Sequence, residues 1–85
     1  MYTIFLSKTV EKFLEKHPEI VELFEENIAL IAENPKNSGA DVKKLISTPA
    51  DYRMRIGKYR FLYRVIEQKI VVYFFDAGSR GDIYK

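Results

Sequence analysis

The sequence predicts an α+β fold, in which a hairpin of two helices packs on one face of a mostly antiparallel, four-stranded sheet in the order β-α-α-β-β-β. Three observations carry that expectation. Apolar residues recur at three- and four-residue steps in the first part of the chain and at two-residue steps from about residue 52 onward. Proline, glycine and asparagine cluster where one period gives way to the other. The length, 85 residues, suits one domain spanning 1–85, with a thin core that buries roughly 60–65% of the unfolded surface.

Each element follows in order. Tyr2–Leu6 is β-prone and precedes Ser7, a good helix N-cap. Val10, Phe13 and Leu14 then share one face of a short helix ending near Lys16. His17-Pro18 interrupts it, because proline lacks an N–H donor and disfavours helix in the residue before it. Pro18 can itself open a second helix. That helix runs to about Asn34 on an apolar stripe of Ile20, Phe24, Ile28 and Ile31, and Pro35 lies past its end. Pro35–Asp41 reads as a loop, Val42–Ile46 as a short extended piece, and Thr48–Asp51 as a turn. Tyr52–Ile56, Tyr59–Ile66 and Ile70–Ala77 read as three strands of a meander. The place where the first strand joins the sheet is not encoded locally.

Composition excludes several classes. The chain has no cysteine, hence no disulfide and no thiolate metal site, and its single histidine, His17, cannot build a histidine-rich one. No apolar run reaches the roughly 20 residues that span a bilayer. The N-terminal MYTIFLSKTVEK lacks the basic, apolar and small-residue regions of a secretory signal, so the chain is expected to be complete and cytoplasmic. The net charge of +2 conceals a split. Residues 1–34 carry three lysines and seven glutamates, whereas residues 35–85 carry eleven basic and five acidic groups. An acidic supporting half and a basic half facing a polyanion are one reading; an unevenly charged solvated surface is the other.

The basic half has a pattern. Gly57-Lys58 suits a two-residue hairpin loop, with glycine supplying positive φ. Ile56 then pairs with Tyr59, Arg55 with Arg60, Met54 with Phe61, Arg53 with Leu62 and Tyr52 with Tyr63. Paired residues share a face and alternate residues switch faces. Tyr52, Met54, Ile56, Tyr59, Phe61, Tyr63 and Val65 should therefore lie against the helices. Arg53, Arg55, Arg60, Leu62 and Arg64 face the other way, so four of the five arginines share one side of one hairpin. Arg55 opposite Arg60 is a like-charge pair that costs stability. A structural hairpin would more naturally alternate signs, and the nearest acids in sequence are Asp51 and Glu67. The last strand, IVVYFFDA, is apolar on both parities and should be covered on both sides. A two- or four-residue turn at Glu67–Lys69 would put Val71, Tyr73 and Phe75 on the arginine side; a three-residue turn would put Phe74 there. Arginines beside aromatics suit RNA, an amphipathic peptide from a partner, or the chain's own C-terminus. The glycines form no phosphate loop.

These residues together resemble the RelE/ParE toxin superfamily. The resemblance covers nearly the whole chain. It rests on the β-α-α-β-β-β order, on VKKL at Val42–Leu45, on YRMRIGKYRFLYRV at Tyr52–Val65 and on DAGSRGDIYK at Asp76–Lys85. It implies a RelE/ParE-like fold and a type II toxin–antitoxin toxin. The RelE branch cleaves mRNA in the ribosomal A site, by attack of a ribose 2′-OH on the adjacent phosphate. On that reading the catalytic positions are Arg60, Arg80, Tyr84 and Arg55, and the RNA-binding set is Arg53, Arg55, Arg64, Lys43 and Lys44. Arg60 and Arg80 would clamp the non-bridging oxygens of a dianion-like transition state. Tyr84 would stack on a base or relay a proton. Several relatives have lysines at the positions of Arg53 and Arg55, and others a histidine where this chain has Ser79; arginine, with a pKa above about 12, is a poor base at neutral pH.

The implied partners are a cognate antitoxin, the ribosome and mRNA, with no membrane, metal or small-molecule cofactor. The two-sided apolar character of Ile70–Phe75 beside the basic face suits an amphipathic or extended antitoxin segment. Two other functions fit the same fold: a ParE-like inhibitor of DNA gyrase, which needs no nuclease residues, and a non-catalytic RNA- or ribosome-binding module. Codon-phased cuts in a translated mRNA, or a failure of DNA supercoiling, would separate them.

Overall fold

The computed structural model describes residues 1–36, 39–46, 48 and 50–79. The chain runs β1 (Thr3–Leu6), α1 (Lys8–Lys16), a 3₁₀ turn (Pro18–Ile20), α2 (Val21–Glu33), β2 (Val42–Lys44), β3 (Asp51–Ile56), β4 (Tyr59–Ile66), a second 3₁₀ turn (Glu67–Lys69) and β5 (Val71–Ser79). The α+β class and the helix hairpin on one face of the sheet are as the sequence predicts. The sheet has five strands, ordered β1-β5-β4-β3-β2. The fifth is Val42–Lys44, legible only as a short extended piece because three residues, two of them lysines, carry almost no period. It pairs antiparallel with β3 and forms one edge. Its lysines also discourage another strand from adding there.

β1 forms the other edge, parallel to β5 with Phe5 beside Tyr73 and Leu6 beside Phe74. Parallel neighbours need a long connection, and the rest of the chain supplies it. Ser7 then turns the chain into α1. Its Oγ accepts from the Val10 N–H at 3.2 Å and donates to the Phe75 carbonyl at 3.2 Å, so one hydroxyl caps the helix and fastens it to β5. His17 ends α1, with its N–H donating to the Leu14 carbonyl, and Pro18 opens the 3₁₀ turn that leads into α2. The His17 ring stacks on Phe13 at 4.2 Å and its Nδ1–H donates to the Phe13 carbonyl at 2.8 Å, which places it among the helices.

The hairpin β3–β4 has the register expected from Gly57-Lys58, from Ile56 with Tyr59 to Tyr52 with Tyr63. Gly57 sits at φ +58, the region that glycine enters without steric cost. Tyr52, Met54, Ile56, Tyr59, Phe61, Tyr63 and Val65 are all buried against Val10, Ile20, Phe24 and Ile31 of the helical layer. Phe24 packs edge-on to Phe74 and tilted on Phe61, with centroids 5.4 and 4.8 Å apart. Truncating such a ring to alanine costs about 3–5 kcal/mol. The turn between β4 and β5 has four residues, Glu67–Ile70, so Val71 and Tyr73 face away from the helices. Among the described residues no helix is long and apolar enough to cross a membrane.

Candidate functional site

Strand registers lay out the helix-free face row by row, since directly opposite residues share a face. One row runs Gly78, Arg60, Arg55 across β5, β4 and β3, and the Arg55 N–H donates to the Asp41 carbonyl at 2.9 Å at its end. The next runs Asp76, Leu62, Arg53, Lys43. A third runs Phe5, Tyr73, Arg64, Asp51 across β1, β5, β4 and β3. Between the second and third rows β5 carries a bulge opposite Leu62 and Tyr63, where Phe75 is the extra residue. Phe75 nevertheless lies on this face: the Arg64 guanidinium stands 5.4 Å from its ring centroid, and Tyr73 lies 6.4 Å from it. The face is thus basic toward β2 and β3 and aromatic toward β1 and β5. Tyr73 and Phe5 are 37% and 53% exposed there.

The like-charge cost of Arg55 beside Arg60 is offset by an acid that the sequence did not reveal. Asp41 takes the Arg55 Nε–H at 2.9 Å and lies 3.8 Å from Arg53 Nη2. Asp51 is buried and accepts two bonds from Arg64, Nε at 2.6 Å and Nη2 at 3.0 Å. That pairing holds the Arg64 guanidinium above its ordinary pKa, first through the hydrogen bond and then through the carboxylate charge. Glu67 pairs with Lys36 and raises that amine in the same way. Asp41 could have been found only by its tertiary placement, because a loop separates it from the hairpin it neutralises.

The predicted site residues are therefore only partly gathered. Arg53, Arg55, Arg60, Arg64 and Lys43 share the helix-free face. Lys44 pairs with Tyr52 and so belongs to the opposite parity; it lines a groove of about 390 Å³ with Lys36, Tyr52, Val65, Glu67 and Gln68. Arg80 and Tyr84 lie outside the described residues. Arg60 is 9% exposed, and the Arg53 side chain 13%. The Arg53 Nε–H is buried and makes no hydrogen bond among the described residues. An unmade buried donor costs about 1–3 kcal/mol, which an anionic oxygen would recover. Among the described residues no group of three metal-ligating side chains is gathered.

A family profile described as "ParE toxin of type II toxin-antitoxin system, parDE" matches residues 4–84. The chain belongs to the RelE/ParE superfamily of toxins from type II toxin–antitoxin systems. Its fold is similar to that of RelE in the archaeal RelE–RelB complex from Pyrococcus horikoshii OT3, at a TM-score of 0.81 and 29% identity, over 95% of this chain and 97% of that one. The isolated Escherichia coli RelE toxin matches at a TM-score of 0.80 and 20% identity, over 99% and 89% of the two chains. RelE of the RelB–RelE complex from Methanococcus jannaschii matches at 0.71 and 26% identity, over 94% of each. No curated protein matches.

Proposed function

We propose that this toxin is a ribosome-dependent endoribonuclease that cleaves mRNA by attack of a ribose 2′-OH on the adjacent phosphate, and that a cognate antitoxin restrains it in the cytoplasm. The observation that carries the reading is the juxtaposition of Arg55 and Arg60 in one row with Arg53 in the next, on the face that the helices leave free. Fixed guanidiniums suit the dianion-like phosphorane, because they need no reorganisation as charge develops. Arg60 and Arg80 take the non-bridging oxygens, Arg55 adds charge beside them, and Tyr84 stacks on a base or relays a proton. Arg53, Arg64 and Lys43 hold the RNA backbone, and Lys44, on the opposite parity, has the least part in it. The Arg64 donors are engaged by Asp51, so its share is smaller and comes from its stack on Phe75. The antitoxin reading is supported by the Pyrococcus neighbour, a RelE–RelB complex at 29% identity.

A ParE-like action on DNA gyrase is the second reading, favoured by the family profile that matches the chain. Primer extension on a translated mRNA, beside a gyrase supercoiling assay, decides between them. Codon-phased cuts that disappear in Arg60→Ala and Arg80→Ala are expected, since loss of one such donor typically costs about 3–4 kcal/mol in the barrier. Intact mRNA with failed supercoiling supports the gyrase reading. Intact mRNA and normal supercoiling leave a non-catalytic RNA- or ribosome-binding module.

A further inference from the structure

We infer that Asp76 is the proton acceptor of the cleavage, an inference that rests on the endoribonuclease reading above. Strict alternation along β5 from Phe74, which is buried against the helices, would send Phe75 to the arginine face and Asp76 back toward the core. The bulge breaks that alternation. Phe75 and Asp76 both come to the helix-free face, Phe75 beside Arg64 and Asp76 opposite Leu62 in the row that contains Arg53. Bulges recur beside active sites because they re-aim a side chain in this way. Aspartate is otherwise unfavourable inside a strand, so its position here calls for a reason.

Among the described residues, the other carboxylates that follow α2 are committed elsewhere, and so is the histidine. Asp41 is held by Arg55 and Arg53, Asp51 by Arg64 and Glu67 by Lys36. His17 stacks on Phe13 and lies tilted against Tyr59, on the helical side of the sheet. Asp76 is half-buried, and its Oδ1 accepts the N–H of the adjacent Ala77 at 2.9 Å. Among the described residues no lysine or arginine forms an ion pair with it. It sits two positions along the strand from Gly78, which is opposite Arg60 on the same face. An aspartate so placed takes the 2′-OH proton as the 2′-oxygen bonds to phosphorus. The bond from phosphorus to the 5′-oxygen then breaks, and that oxygen leaves as a hydroxyl with a proton from water. The products are a 2′,3′-cyclic phosphate and a 5′-hydroxyl end, with no oxidant or further reactant.

Asp76→Asn tests this, because the asparagine oxygen keeps the Ala77 hydrogen bond and only the proton acceptor is removed. Single-turnover cleavage of mRNA on programmed ribosomes should slow about 100-fold or more. The rise of rate with pH on the acid side of the parent's profile should vanish. Asp76→Glu keeps a carboxylate but strains the Ala77 hydrogen bond, so it should cleave faster than Asp76→Asn and keep the acid limb. A purely structural role predicts the reverse order, and finding that order overturns the assignment. Asp76→Asn that matches the parent in rate and pH profile overturns it too, while leaving the nuclease reading intact. A parent that leaves ribosome-bound mRNA whole removes the nuclease reading and the role of Asp76 with it.

Discussion

Single residues decide how the charged face and the core are completed. Asp41 makes a row containing Arg55 and Arg60 tolerable, and nothing local in the sequence marks it: it sits in a loop with ordinary turn residues, ahead of the hairpin it serves. By contrast, the burial of Tyr52, Met54 and Ile56 was legible from alternation alone, because a strand has only two sides. Tyr63 lies between these cases. Its inward direction follows from parity, but its hydroxyl partner, the Pro35 carbonyl at 2.6 Å, follows only from the packed structure. Tyr63→Phe should cost about 1–3 kcal/mol in denaturant unfolding, because the buried carbonyl loses its donor. Burial first, and then the neighbouring Tyr52, push the Tyr63 hydroxyl pKa above its ordinary 10.0. The unfolded chain therefore releases this proton at lower pH than the folded one. Stability from Tyr63 is complete below that ordinary value and falls as pH rises through it toward the folded pKa. Unfolding measured on both sides of that value should show a shallower alkaline loss in Tyr63→Phe than in the parent.

Among the elements, the register of the β3–β4 hairpin was legible, although Asp51, read as part of a turn, is the first residue of β3, and β5 was not legible. A two-residue loop fixes register, and register fixes faces, so Gly57-Lys58 was enough to place ten side chains. The turn before β5 left two outcomes open because neither a glycine nor an asparagine marks its length. Ile70 takes the left-handed conformation there, at φ +55, and its carbonyl accepts the Thr3 N–H at 3.0 Å. A β-branched residue rarely enters that region, at a cost of about 1–2 kcal/mol. Ile70 is 52% exposed, so little apolar burial offsets the strain. Ile70→Gly should therefore raise the melting temperature, by an amount equivalent to about 1 kcal/mol. A lowered melting temperature would mean that the isoleucine packs more productively than its exposure indicates. The bulge at Phe75 is likewise invisible to a period-two pattern, since it is a fault in that pattern that only the partner strand exposes. It is also what places Asp76 on the helix-free side.

At the scale of the whole molecule, the charge split along the sequence becomes a split between layers. The glutamates of residues 1–34 belong to the helical side, and the basic residues of 35–85 concentrate on the sheet. That separation was legible because, β1 apart, residues 1–34 build the helical layer and the later residues build the sheet. The two lysines of β2 probe which side of the sheet a polyanion meets, for they are consecutive and point to opposite faces. Lys43 lies in the row of Arg53, whereas Lys44 lines the groove beside Glu67. Binding of a short single-stranded RNA should weaken with salt, and each phosphate left without its cation should reduce the slope of log affinity against log salt by about 0.7. Lys43→Ala should lower the slope by that amount, and Arg55→Ala by less, because Asp41 already neutralises part of its charge. Lys44→Ala should change it least. Fluorescence anisotropy over a salt series, with the four proteins side by side, measures this directly. An equal drop for Lys44→Ala and Lys43→Ala would show the RNA turning around the β2 edge and meeting both layers, and the polyanion surface would then have to include the groove floored by Tyr52.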